Sequence, residues 1–134
     1  MVAIKKILVF GNPLVKKDSL PLKLAVYLQK EFADINFQEF DAVEDLHKEG
    51  RTLYLLDAVE GIEHVEVITD IDRLLTSKIY SVHDFDLAHT LKLMKKMQLI
   101  DNVTIFGVPM KIRMDQAIRE IKAKITSILL SKSG

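Results

Sequence analysis

The run Ile7-Leu8-Val9-Phe10 is apolar at four successive positions, so a strand built from it is apolar on both of its faces. Such a strand has to be covered on both sides, which is the situation of a central strand in a parallel sheet flanked by helices. The run closes at Gly11-Asn12, and Leu20, Leu24, Ala25, Leu28 and Phe32 then recur at helical spacing. A second buried run, Leu53 to Leu56, follows an alternating segment at Ile35 to Phe40 and a short helical stretch at Val43 to Lys48. Val65 to Ile68 reads as a shorter strand at an edge, and Asp70 to Leu75 as a turn or short helix. Leu87, Ala88, Leu91 and Met94 mark a further helix, and Val103 to Phe106 a strand ending at Gly107. A long amphipathic helix from Met114 to Leu129 completes the pattern. This alternation predicts an α/β fold with three α/β/α layers. Its sheet is mainly parallel and twisted, of about five strands, with one antiparallel edge strand. Residues 1–130 form a single domain in this reading, and 131–134 a frayed tail.

Bulk composition removes several classes of function. The 134 residues are 49% apolar and 28% charged, which suits a globular chain with a substantial core. Lysine plus arginine equals aspartate plus glutamate at 19 each, so nothing electrostatic argues for nucleic acid or an anionic membrane. Cysteine is absent, which excludes disulfides, thiolate metal sites and a cysteine nucleophile. The apolar run behind the N-terminal lysines, about six residues, is shorter than a signal core. No stretch approaches the roughly 18 apolar residues of a membrane span. The expectation is a cytoplasmic protein without membrane insertion and without a nucleic-acid partner, its oligomeric state left open.

Three residues stand where chemistry is usually placed. Asp18 follows the first strand and its Gly11-Asn12 turn. It also suits the N-cap of the helix that follows, where Pro21 is tolerated in the first turn. Asp57 follows the second buried run, and an ionised carboxylate at the end of such a strand needs partners; an Asx-type turn at Asp57-Ala58-Val59-Glu60-Gly61 is the equal alternative. His83 precedes the helix marked by Leu87 and Leu91. His47, His64 and His89 are read as structural or exposed. Right-handed crossovers put the loops after parallel strands on one side of the sheet, where Asp18 and Asp57 are expected to meet. Two carboxylates and an imidazole suit a borderline divalent ion such as Ni²⁺ or Zn²⁺, with coordination positions left open. Nucleotide binding is discounted. There is no G-x-G-x-x-G, and Lys16-Lys17 lacks the Ser/Thr of a phosphate-binding loop in frame.

Taken in order, these positions resemble the hydrogenase maturation proteases, which trim the C-terminal extension of the nickel-iron hydrogenase large subunit. Gly11-Asn12-Pro13-Leu14 followed by Asp18 is similar to the family's first landmark, and Leu56-Asp57-Ala58 to its strand ending in Val-Asp-Ala. Ser81-Val82-His83 ahead of Leu87 and Leu91 is similar to the third, and Phe106-Gly107-Val108-Pro109 to part of the fourth. The resemblance implies a processing endopeptidase in which Asp18, Asp57 and His83 are both metal ligands and catalytic residues. The nickel is carried by the substrate, a hydrogenase large-subunit precursor, and no organic cofactor is used.

The chain departs from the pattern at several points. Lys17 stands where the family has its first acidic residue. Asp41-Ala42-Val43-Glu44 replaces a Gly-Gly segment, and the glutamine before Pro109 is missing. These departures motivate a second reading, a non-proteolytic hydrogenase-binding or maturation accessory protein on the same fold. A small-molecule α/β enzyme using Asp18 or Asp57 as general base is a third.

Overall fold

The structure, a computed structural model, describes residues 4–11, 20–72 and 82–131, and leaves the side chains of residues 82–86 outside that description. Five strands form one sheet: β1 (Lys6–Val9), β2 (Asn36–Glu39), β3 (Thr52–Val59), β4 (Glu66–Ile68) and β5 (Asn102–Pro109). Their spatial order is β2-β1-β3-β5-β4. All neighbours run parallel except β4, which pairs antiparallel with β5 at the edge. The helices are α1 (Leu20–Glu31), α2 (Val82–Lys96) and α3 (Met114–Ser131), with a 3₁₀ helix at Val43–Glu49. The three-layer architecture expected from the alternation of apolar runs is the one observed.

Alternation along the central strands assigns each side chain to a face. Ile7, Val9, Leu56, Phe106 and Val108 pack beneath α1 and α3, against Leu24, Leu28, Ala117, Ile121 and Ile125. Leu8, Phe10, Leu53, Leu55, Val59, Val103 and Ile105 face the other way, against Leu46 of the 3₁₀ helix and Leu87, Leu91 and Met94 of α2. β1 and β3 are therefore apolar on both sides for the reason inferred from their sequences.

Two strands are longer than the sequence pattern predicts. β3 continues through Asp57 to Val59, and β5 through Gly107 to Pro109. Asp57 thus lies inside a strand, not at its end, and no Asx turn forms there. Aspartate and glycine are both poor strand residues, but they fall opposite each other in the β3–β5 register, Asp57 beside Gly107. The ladder absorbs both at one place, between the buried apolar pairs Leu56–Phe106 and Ala58–Val108. His83 likewise lies within the first turn of α2, not ahead of the helix. Of the stretch 70–75, residues 71–72 are helical, and 73–75 lie outside the described residues. The expected tail lies outside them beyond Ser131, at which α3 ends.

Helix α2 closes on a residue held in a backbone conformation that its side chain disfavours. Gln98 adopts φ 62°, Leu99 N–H donates to the Met94 carbonyl at 2.9 Å, and Gln98 N–H donates to the Lys95 carbonyl at 3.1 Å. This is a Schellman ending, in which the left-handed position favours glycine. Leu99 makes the accompanying apolar contact with the core. Gln98→Gly relieves the Cβ penalty at the cost of a more flexible unfolded chain. It is expected to stabilise the protein by about 0.5–1 kcal/mol, read as a higher urea midpoint at unchanged slope. A lower midpoint contradicts this reading of the turn.

Candidate functional site

The strand order fixes where a site can be. From β1 the chain crosses by α1 to β2 on one side, and β3 then lies on β1's other side. α1 covers one face of the sheet and α2 the other. The carboxyl ends of β1 and β3 are therefore a topological switch point, where open α/β sheets leave a crevice. Gly11 leaves β1 there, next to the Phe10 amide that donates to the Leu56 carbonyl at 2.9 Å.

Asp57 sits in β3 at this crevice. It is the one charged side chain that is buried among the described residues, at 3% exposure. Its place in the alternation puts it on the α2 face with Leu55 and Val59. Phe10 stands beside it from β1 on the same face, one residue beyond the Val9–Leu56 register pair. Gly107 stands on its other side. Asp57 is not without a partner, and a buried charge requires one.

Helix direction places His83 at the same edge. The end of α2 leads to Asp101 and Asn102, whose amides both bond the Arg51 carbonyl at the amino end of β3. α2 spans 15 residues, about 22 Å of helix, close to the length of β3. Its first turn, which carries His83, is consequently at the carboxyl edge. The His83 side chain is outside the described residues. Asp18 is also outside them, between Gly11, which leaves β1, and Leu20, which opens α1. Among the described residues no group of three or more His, Asp or Glu side chains is placed to hold a metal ion.

The other histidines fall as follows. His64 is 71% exposed and His89 is exposed. His47 is half-buried, and its Nδ1 has no hydrogen-bond partner. A concavity of about 420 Å³ lined by Lys6, Leu8, Glu49, Thr52 and Tyr54 opens at the opposite, amino edge of the sheet. Lys6 and Glu49 neutralise each other there at 2.5 Å, and α/β sheets do not carry their sites at that end.

One residue near the crevice was not legible in the sequence. β3 exits through Glu60-Gly61, with Gly61 at φ 81°, and the chain returns to β4 past His64 and Val65. Glu120 of α3 fastens this connection. Its carboxylate accepts from the Gln116 amide nitrogen at 2.7 Å, from the Val65 backbone N–H at 2.8 Å, and faces His64 Nδ1 at 3.2 Å. The Gln116 bond and then the Val65 bond hold its carboxyl down at about 2. Glu120 is one of several polar residues on a regular amphipathic helix, and its partners at 64 and 65 are more than fifty positions away. Nothing local distinguishes it.

Comparison with solved structures shows the fold to be shared. A solution structure of an endopeptidase from Escherichia coli matches with a TM-score of 0.66 at 13% identity, over 93% of this chain and 94% of that one. The hydrogenase maturating endopeptidase HybD from E. coli matches with a TM-score of 0.60 at 15% identity, over 93% and 94%. An uncharacterized protein from Wolinella succinogenes matches with a TM-score of 0.51 at 14% identity, over 95% of both chains. No sequence-family model matches the chain, and no curated protein matches it in sequence. The resemblance drawn from the ordered motifs thus holds at the level of the fold, over nearly the full length. No helix among the described residues is long and apolar enough to cross a membrane.

The Glu120 clasp yields a pH signature. Its carboxyl is lower in the folded chain than in the unfolded one, so the unfolded chain binds more protons as pH falls. The contribution is complete above about 4.5 and is lost as pH drops towards 2. Glu120→Gln is expected to cost about 1–2 kcal/mol at neutral pH. It should also flatten the fall of stability between pH 4.5 and 2, measured by urea unfolding across that range. A variant with the wild-type pH slope would remove Glu120 from this role.

Proposed function

We propose that this protein is a processing endopeptidase of the hydrogenase-maturation type, which removes the C-terminal extension of a nickel-iron hydrogenase large-subunit precursor. The observation that carries this reading is a single buried carboxylate, Asp57, at the switch point of a fold shared with hydrogenase maturating endopeptidase HybD. The sequence supplies Asp18 on the connection leaving β1 and His83 in the first turn of α2. In this reading the three side chains grip nickel that the client already carries.

A checkpoint of this kind has a plain thermodynamic basis. Ligands on the protease contribute binding energy only when the client holds the ion, so loaded and empty precursors are separated by a difference of affinities. Nickel bound between client and protease also supplies Lewis acidity at the scissile carbonyl or for water. The protease and its precursor then meet in the cytoplasm.

Lys17 favours a second reading. An ammonium one residue from Asp18, where the family has a carboxylate, opposes a cation at short range. A homologue that docks on the precursor without cutting it is the form this reading takes.

The test is incubation of the protein with nickel-loaded and nickel-free precursor from the same organism, followed by mass spectrometry. Trimming of the loaded precursor alone is expected, reduced about 100-fold or more in Asp57→Ala and His83→Ala. Failure to trim any such precursor, or full activity in His83→Ala, contradicts the endopeptidase reading. Co-purification of an uncut precursor selects the accessory reading.

A further inference from the structure

Gly107 occupies a position where its backbone has no need of glycine. Among the described glycines only Gly50 and Gly61 have positive φ, and a glycine weakens the interior of a strand. The reason for it is space. A Cβ at position 107 would lie 3.1 Å from Val59 Cγ2, 3.4 Å from Ile68 Cδ1 and 3.6 Å from the Glu66 carbonyl oxygen. The first distance is tighter than real Cβ contacts normally are, so Val59 would have to give way. Val59 belongs to β3, two residues beyond Asp57 on the same face, and Ile68 to the edge strand β4. Both lean into the volume that a side chain at 107 would fill.

That volume adjoins Asp57. The two residues are direct partners in the parallel ladder, so side chains at 57 and 107 project to one face side by side. Phe10 stands on the other side of position 57, one residue past the Val9–Leu56 pair and on the same face, itself edge-on against Phe40 at 5.8 Å between ring centroids. We propose that Gly107 is a positioning residue for Asp57. By leaving its Cβ volume empty it lets Val59 and Ile68 close over β5 as a rigid apolar wall on one side of the carboxylate, with Phe10 as the wall on the other. A ligand held between packed walls keeps one rotamer, and loss of the groups that orient a ligand typically weakens metal affinity about 10–100-fold. This rests on the reading of Asp57 as a nickel ligand.

The experiment is calorimetric titration of the full chain with Ni²⁺ alone, beside thermal unfolding of each variant. Gly107→Ala is expected to weaken Ni²⁺ binding about tenfold. Val59→Ala, which keeps Gly107 but removes the nearer part of the wall, is expected to weaken Ni²⁺ binding in the same direction. Ile68→Val is a smaller change in the same wall that leaves the backbone alone, and it is expected to give a smaller loss in the same direction. The proposal is overturned if Gly107→Ala shifts only the unfolding temperature while binding Ni²⁺ like the parent. It is also overturned if Val59→Ala binds Ni²⁺ like the parent, or if Ile68→Val leaves binding unchanged should Gly107→Ala fail to fold. A parent protein that binds no Ni²⁺ overturns this proposal, whereas the endopeptidase reading stands or falls on the trimming of nickel-loaded precursor, because its nickel arrives on the client.

Discussion

Burial of the Asp57 carboxylate at 3% exposure inside a central parallel strand is the constraint to which the rest of the molecule conforms. An isolated charge in such a place costs several kcal/mol or more. A chain selected for stability alone would put an aliphatic residue there, as it does at Leu53, Leu55 and Val59 on the same face. The sheet accommodates the carboxylate without losing the strand. Eight consecutive register pairs join β3 to β5, from Thr52–Asn102 to Val59–Pro109, and Asp57 is held between pairs that are apolar on both sides.

The strand order then gives the carboxylate its setting. With α1 on one face and α2 on the other, the chain crosses to opposite sides after β1 and β3, and Asp57 lies near the carboxyl end of β3 at that switch point. The connection from β3 to β4 borders the same edge, and Glu120 ties it to α3 through Val65. The amino edge is tied differently. Arg51 makes a two-pronged pair with Asp101 and also donates to the Gln98 carbonyl, which joins the start of β3 to the end of α2.

Much of this was written in local pattern. Ile7 to Phe10 and Leu53 to Leu56 declare themselves as doubly covered strands, and α3 as an amphipathic helix with Ala117, Ile121 and Ile125 on its buried row. What local pattern hid was pairing. Asp57 and Gly107 each read as the end of a strand, because neither favours extended structure, and only their juxtaposition across the ladder shows why both strands continue. His83 reads as preceding a helix because Val82 and Asp84 carry no apolar period, yet the helix starts at Val82. Glu120 and Gln98 are invisible for related reasons: the first acts on residues distant in sequence, and the second takes a left-handed turn that its side chain does not announce. The crevice itself was legible as soon as the strands were known to be parallel.

The central claim is that Asp18, Asp57 and His83 close on one transition-metal ion at the switch point. A crystal of the protein soaked in Ni²⁺ and measured at the nickel absorption edge tests it most directly. If the three side chains share one ion, a single anomalous peak stands about 2 Å from an oxygen of Asp57, with an Asp18 oxygen and a His83 ring nitrogen at comparable distances. A peak bound elsewhere with Asp57 unligated, or Asp18 and His83 directed away from it in the occupied crystal, would contradict it.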